Sequence, residues 1–135
     1  TRDPRAEGPL AELLGRGDEE QRIRACRALS RLGRSSSASV LVTALGDGSP
    51  AVRAQAARGL GELREPRSIG ALVDLMGDPS WWVRARAADS LRALGEPGLA
   101  ALRECARAHE DQFARERAAE ALAAELGVRR KVAVA

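Results

Sequence analysis

The stretch Asp78-Pro79-Ser80-Trp81-Trp82-Val83-Arg84-Ala85-Arg86-Ala87-Ala88-Asp89-Ser90-Leu91-Arg92-Ala93-Leu94-Gly95 decides how the chain folds. Asp-Pro-Ser makes a turn and Ser80 is placed to cap a helix. Val83, Ala87, Leu91 and Leu94 then recur at helical spacing until Gly95 ends the run. The same plan stands 31 residues earlier, where Asp47-Gly48-Ser49-Pro50 leads into Val52, Ala56, Leu60 and Leu63. The register runs through the chain: Arg22, Arg53, Arg84 and Arg115 are 31 apart, as are Ala25, Ala56, Ala87 and Ala118, and Leu29, Leu60, Leu91 and Leu122. A neighbouring small position reads Cys26, Ala57, Ala88, Ala119, and Pro66 repeats as Pro97. Self-similarity at a fixed short period is the signature of a stacked repeat, and four copies in register define one.

Each copy reads as two helices. Val40-Leu41-Val42 and Ala44-Leu45 make the first helix of the second copy, the Asp47 turn breaks it, and residues 52–63 make the second. Pro66 and Pro97 are placed to start the next copies. The expected fold is all-α, a right-handed α-solenoid of four two-helix units over residues 9–126, divided at about 9–35, 36–65, 66–96 and 97–126. A lead, 1–8, precedes them, and a basic tail, 127–135, is expected to fray. In the fourth copy Leu99, Leu102 and Ala106 are shifted by one residue, which predicts an extra residue in its internal loop. Composition agrees with helices: 27 Ala and 17 Leu in 135 residues, with only Trp81, Trp82 and Phe113 aromatic, require an aliphatic core.

These segments resemble the short bacterial HEAT repeats related to the lyase-type HEAT-like group, over about residues 9–126. The resemblance implies that the surface made by the second helices is concave and binds a partner. Deoxyhypusine hydroxylases of the HEAT-like group hold two irons with several His-Glu pairs; this chain has one such pair, His109-Glu110, too few for that ligand set, and it reads as an ordinary exposed helix start. Nothing in the chain marks the chemistry of the chromophore lyases.

A helical wheel of about 100° per residue separates core from surface in the second helices. Val52, Ala56, Leu60 and Leu63 with their counterparts form the core stripe. The registered arginines Arg22, Arg53, Arg84 and Arg115 fall inside the same arc. A charge there must be paired, so they are expected to form a structural ladder with Asp47, Asp78 or the helix-end carbonyls of adjoining units. The opposite face carries Glu20, Ala51, Trp82 and Phe113 in one lane, Arg24, Gln55, Arg86 and Arg117 in the next, and Arg27, Arg58, Asp89 and Glu120 in a third. Trp82 with Arg86, and Phe113 with Arg117, are i, i+4 pairs suited to cation–π stacking, with Trp81 structural on the flank. Stacked repeats would make this face basic over its first half, at Arg24, Arg27, Arg31 and Arg58, and mixed over its second.

The function expected from these readings is a non-catalytic protein–protein interaction scaffold that binds a partner helix or peptide through Trp82, Arg86, Phe113, Arg117, Arg24, Arg27, Arg58 and Asp89. The alternative is a nucleic-acid-binding solenoid using arginine lanes and stacked aromatics; a net charge of only +3, with acids interspersed, argues against it. With His109 as the single histidine, no catalytic triad, metal centre or cofactor site is expected. Cys26 lies in the first unit and Cys105 in the last, too far apart for a disulfide, which suits a reducing cytoplasm. The longest uncharged run, residues 35–46, is too short to span a membrane. This segment could still be the soluble part of a longer, anchored protein.

Overall fold

A computed structural model of the chain describes residues 3–134, except for the side chains of Pro4 and of residues 132–134. Among these residues all regular structure is helical. After a 3-10 turn at Pro4–Ala6 come α1 (Glu7–Arg16) and α2 (Glu19–Leu32), α3 (Ser35–Ala44) and α4 (Pro50–Leu63). A second 3-10 turn, Pro66–Ser68, leads into α5 (Ile69–Leu75) and α6 (Trp81–Ala93), followed by α7 (Glu96–Ala108) and α8 (Gln112–Val134). The helices stack as two-helix repeats, four in number. The second helices pack side by side in the order α2, α4, α6, α8, and each first helix lies against its own second helix.

The core sits between the two layers and is made by the registered residues. Leu29, Leu60 and Leu91 have no solvent exposure, and Ala25, Ala56, Ala87 and Ala118 are buried with them; Leu122 packs at the margin. Alanine at those positions brings the second helices close. Two glycines bring them closer still. A Cβ on Gly59 would lie 3.2 Å from Ser30 Cβ, and one on Gly61 would lie 2.9 Å from the Cα of Ser90. The crossings of α2 with α4 and of α4 with α6 therefore each pair one glycine with one serine, in mirrored order. The serines are satisfied: Ser30 Oγ donates to Glu62 at 2.6 Å and Ser90 Oγ to the Ala57 carbonyl at 2.6 Å.

Helix ends follow local chemistry. Asp18 and Gln21 close a capping box on α2, with bonds of 2.8 and 2.9 Å. Ser49 accepts from the Val52 N–H ahead of α4, with Pro50 in the first turn. Ser80 holds the same register, but its hydroxyl caps nothing; its N–H donates to Asp78 Oδ1 at 2.9 Å instead. The first three repeats end on a residue of positive φ, 68° at Gly33, 52° at Arg64 and 74° at Gly95, the first two in the left-handed helical conformation.

Three boundaries differ from the sequence expectation. Helix α1 begins at Glu7, inside the supposed lead, where the Glu7 carboxylate accepts from Ser36 and Ser37 hydroxyls at 2.8 Å and clasps α1 to α3. Those hydroxyls, Ser36 first, hold the Glu7 carboxyl below its ordinary value. The tail is helical as far as it is described: α8 runs on to Val134, and the stop register falls on Leu126, whose side chain disfavours the positive φ that ends the other repeats. The extra residue of the fourth repeat lies in α7 rather than in the loop. That helix extends to Ala108, leaving a loop of residues 109–111, where the siblings have the longer 45–49 and 76–80.

Candidate interaction surfaces

The arginine of each second helix reaches two loops at once. Arg53 Nη1 donates to the Asp47 carbonyl of its own repeat at 2.8 Å, and its Nε and Nη2 grip both carboxylate oxygens of Asp78 in the next, at 2.8 and 3.2 Å. Arg22 repeats the pattern on the Gly17 carbonyl at 2.9 Å and on Asp47 at 3.0 and 3.2 Å. Both pairs are largely buried, with side-chain exposures of 15% and 6% for Arg53 and Asp78. A bidentate, charge-assisted bond in such a site fixes how adjacent repeats are set. Each aspartate also accepts from the N–H two residues on, at Ser49 and Ser80, at 2.9 Å in both cases.

The ladder stops at the third arginine. Counting 31 on from Asp78 reaches His109, so Arg84 has no carboxylate within bonding distance among the described residues. Arg84 still donates to the Asp78 and Pro79 carbonyls at 2.7 and 3.2 Å, and Arg115 to those of His109 and Glu110. His109 is half-buried rather than an exposed helix start. Its Nδ1, in the assigned tautomer, accepts from the Asp111 N–H at 3.0 Å, the bond that the aspartates make in their own loops. Asp111 in turn accepts from the Ala114 N–H at 3.1 Å, taking the capping place of Ser49.

On the opposite face, several of the residues marked in the sequence come together. Arg27, Arg31, Gln55, Arg58 and Glu62 line an open depression of about 310 Å³ between α2 and α4. A second depression of about 390 Å³ between α4 and α6 is lined by Arg58, Glu62, Arg64, Arg86 and Asp89 over a floor that includes Gly61 and Ser90. Arg58 and Glu62 line both, so the two depressions adjoin across α4 and together make a trough divided by that pair. Arg58 is tethered to Glu62 at 3.2 Å and Arg27 to Gln55 at 3.3 Å. Arg86 bonds no side chain among the described residues, and Asp89 is 3.8 Å from Arg92. Sequence reasoning missed Glu62 and Arg64. The positive φ that it shares with Gly33 and Gly95 marks Arg64 as exceptional, since the other two are glycines.

The other marked residues lie apart from the trough. Arg24 pairs with Glu20 at 3.1 Å and Arg117 with Glu120 at 3.0 Å. Trp82 and Phe113 stand in the first turns of α6 and α8, and Arg86 is one turn further along α6. The expected stacking of Trp82 with Arg86 and of Phe113 with Arg117 is not formed. Phe113 meets Arg84 of the preceding repeat instead, with the guanidinium carbon 5.2 Å from the ring centroid. Trp82 packs edge-on against Trp81, centroids 6.2 Å apart. Trp81, read as structural, is 63% exposed, more than Trp82 at 42%.

Both thiols are free and buried. Burial, with Asp47 adding repulsion, pushes the Cys26 thiol up to about 12, and burial raises Cys105 as well. Among the described residues no group of three or more His, Cys, Asp or Glu side chains is placed to hold a metal. No described helix is long and apolar enough to cross a membrane.

The geometry defines a class: an α-solenoid of two-helix repeats, tied loop to loop by arginine and aspartate, with a charged trough along its second helices. Residues 38–123, more than half of the chain, match the family described as HEAT repeats, and the chain belongs to that family. Among solved structures it is similar to human deoxyhypusine hydroxylase in complex with glycerol, at 29% identity and a TM-score of 0.69, over 90% of this chain and 43% of that one. It is also similar to the complex of CpcE and CpcF of phycocyanin lyase from Nostoc sp. PCC7120, at 23% identity and a TM-score of 0.62, over 87% of this chain and 53% of that one. A third likeness, to an engineered protein, has 24% identity and a TM-score of 0.54, over 90% and 62% of the two chains. The last two speak for the fold alone. The chain spans less than two thirds of each of these structures. No curated protein matches it.

Proposed function

We propose that this HEAT-repeat chain is a non-catalytic scaffold for protein–protein contacts, receiving a partner's helix or extended segment along α2, α4 and α6. The observation that carries this reading is the pair of adjoining depressions, where Arg27, Arg31, Arg58, Arg64 and Arg86 surround Glu62 and Asp89. Five guanidinium groups against two carboxylates suit a partner segment with acids of its own, and charge matching of this kind selects partners and speeds encounter. Trp82 and Phe113, with Arg24 and Arg117, extend the contact toward the loop edge. A strand of nucleic acid would need an unbroken basic track, whereas Glu62, Asp89 and Glu120 interrupt the arginines of this face, Glu62 paired with Arg58 and Glu120 with Arg117. A cytoplasmic setting goes with this reading, since both thiols are free.

The test is affinity capture from lysate of the source organism with wild type, Trp82→Ala/Arg86→Ala and Arg58→Glu/Arg86→Glu, each with and without nuclease. A protein retained by wild type and weakened by about 2 kcal/mol or more in the variants is the expected result. Equal recovery by all three chains removes the trough as the site. Recovery that depends on intact nucleic acid removes the scaffold reading.

A further inference from the structure

The broken third rung of the ladder carries an inference beyond the trough. Arg84 is fixed as its siblings are, its Nη1 on the Asp78 carbonyl at 2.7 Å matching Arg53 Nη1 on the Asp47 carbonyl at 2.8 Å. In Arg53 the remaining edge, Nε and Nη2, is filled by the Asp78 carboxylate. In Arg84 that edge has no acceptor among the described residues. His109 took over the loop bond of the missing aspartate but brings no negative charge to the arginine. The Phe113 ring stands over the guanidinium carbon at 5.2 Å and is itself 60% exposed. A ring engages the flat face of a guanidinium and a carboxylate engages its edge in the plane, so the two are compatible.

A half-buried guanidinium, immobilised on one side and unfilled on its bidentate edge, is prepared for one kind of group. We infer that Arg84 with Phe113 is a receptor for a carboxylate side chain of a partner protein, an Asp or Glu whose apolar neighbour rests on the exposed ring. The partner's acid completes the ladder in trans with the geometry that Asp47 and Asp78 supply in cis. The site rests on the scaffold reading and specifies one contact of it, at the loop edge of α6 and α8 and away from the trough.

The experiment follows the side-chain Nε–H resonances of nitrogen-15-labelled protein. The probes are N-acetyl-glutamyl-leucinamide and its uncharged twin, N-acetyl-glutaminyl-leucinamide. The glutamyl probe is expected to shift the Arg84 resonance saturably, with the twin at least tenfold weaker. His109→Asp, which offers the edge a competing carboxylate from within, is expected to weaken the response about twofold or more; the same spectrum reports whether it folds. Phe113→Ala, a second variant at an exposed position, is expected to weaken the glutamyl probe several-fold. Equal shifts by both probes, shifts of equal size at Arg24 and Arg58, or an undiminished response in His109→Asp or Phe113→Ala would overturn the inference. Arg58→Glu/Arg86→Glu alters only the trough and must leave the dipeptide response in place; its loss there also overturns the inference. A captured partner that survives that double change, with the dipeptide response intact, defeats the trough and not this site.

Discussion

The junctions between the first three repeats and the junction between the third and fourth have the same sequence period and different physics. At the first two, an arginine grips an aspartate across the boundary and a glycine meets a serine where the second helices cross. At the third, the aspartate is His109 and the positions that held the glycine and serine carry Arg92 and Ala121. Arg92 pairs with Glu125 at 3.3 Å, bridging the gap with a part-buried pair in place of close backbone contact. The α6–α8 packing is correspondingly less extensive than α2–α4 or α4–α6. Registered alanines and leucines set the spacing of a solenoid, but the polar pair at the loops and the small pair at the crossing set how firmly each repeat is held.

The sharpest way to test that contrast is to make the second junction resemble the third. Asp78→Ala strands Arg53, 15% exposed, without its carboxylate and removes the acceptor for the Ser80 N–H. An uncompensated buried charge costs about 3 kcal/mol, and urea unfolding should show a loss of that order. His109→Ala, the matching change at the third junction, removes a single loop bond and should cost about 1 kcal/mol. Similar losses for the two would mean that the ladder holds nothing.

The crossing ranks next. A Cβ on Gly61 would meet the Ser90 backbone at 2.9 Å, and backbone cannot give way as a side-chain tip can. Gly61→Ala should therefore cost about 2 kcal/mol by overpacking. Pairing it with Ser90→Gly transfers the small residue to the other helix, as at Ser30 and Gly59, and should recover much of the loss despite the Ser90 hydroxyl bond given up. A double-mutant cycle in urea measures the coupling; additive losses would show that the crossing is not a matched pair.

The period alone revealed the repeat architecture, the core leucines and the place of the arginines inside the core arc, because burial at fixed spacing leaves a direct mark on residue type. It was silent where one register position does two jobs. Asp47 and Asp78 form a series whose next member is His109, and the histidine's value lies in which of the aspartate's two bonds it keeps. The direction of the aromatic rings was also out of reach, since a wheel gives the angle around a helix and not the lean along it, and Arg84 comes from the neighbouring repeat. Arg27, Arg58, Arg86 and Asp89 were legible as one face, but their union into a trough needed the helix spacing. The end of α8 turns on Leu126 standing where Gly33, Arg64 and Gly95 stand.

That last contrast can be restored by substitution. Leu126 is 54% exposed and anchors little, so Leu126→Gly mainly lowers the barrier to a left-handed stop. The expected result is loss of helical signal and faster amide exchange confined to residues after 126, with a stability change of about 1 kcal/mol or less. Unchanged protection beyond 126 would place the cause of the long α8 elsewhere.

The smallest effect bears most directly on the ladder, because it rebuilds a rung. His109→Asp puts a carboxylate 25 residues after Arg84, the separation that joins Arg22 to Asp47 and Arg53 to Asp78. The new side chain can also accept from the Asp111 N–H, as the aspartates do from Ser49 and Ser80. Arg84 is already positioned by the Asp78 carbonyl, so little ordering remains to oppose the bond. The site is more open than the first two junctions and the loop is shorter, so a gain of about 0.5 kcal/mol is expected rather than the worth of a buried pair. The gain should shrink in Arg84→Gln and should fade as pH falls through the carboxylate range, since a carboxylate stabilised by a cation gives up that stability on protonation. A gain that persists in Arg84→Gln would come from the loop bond alone, and the third arginine would then be indifferent to what stands at position 109.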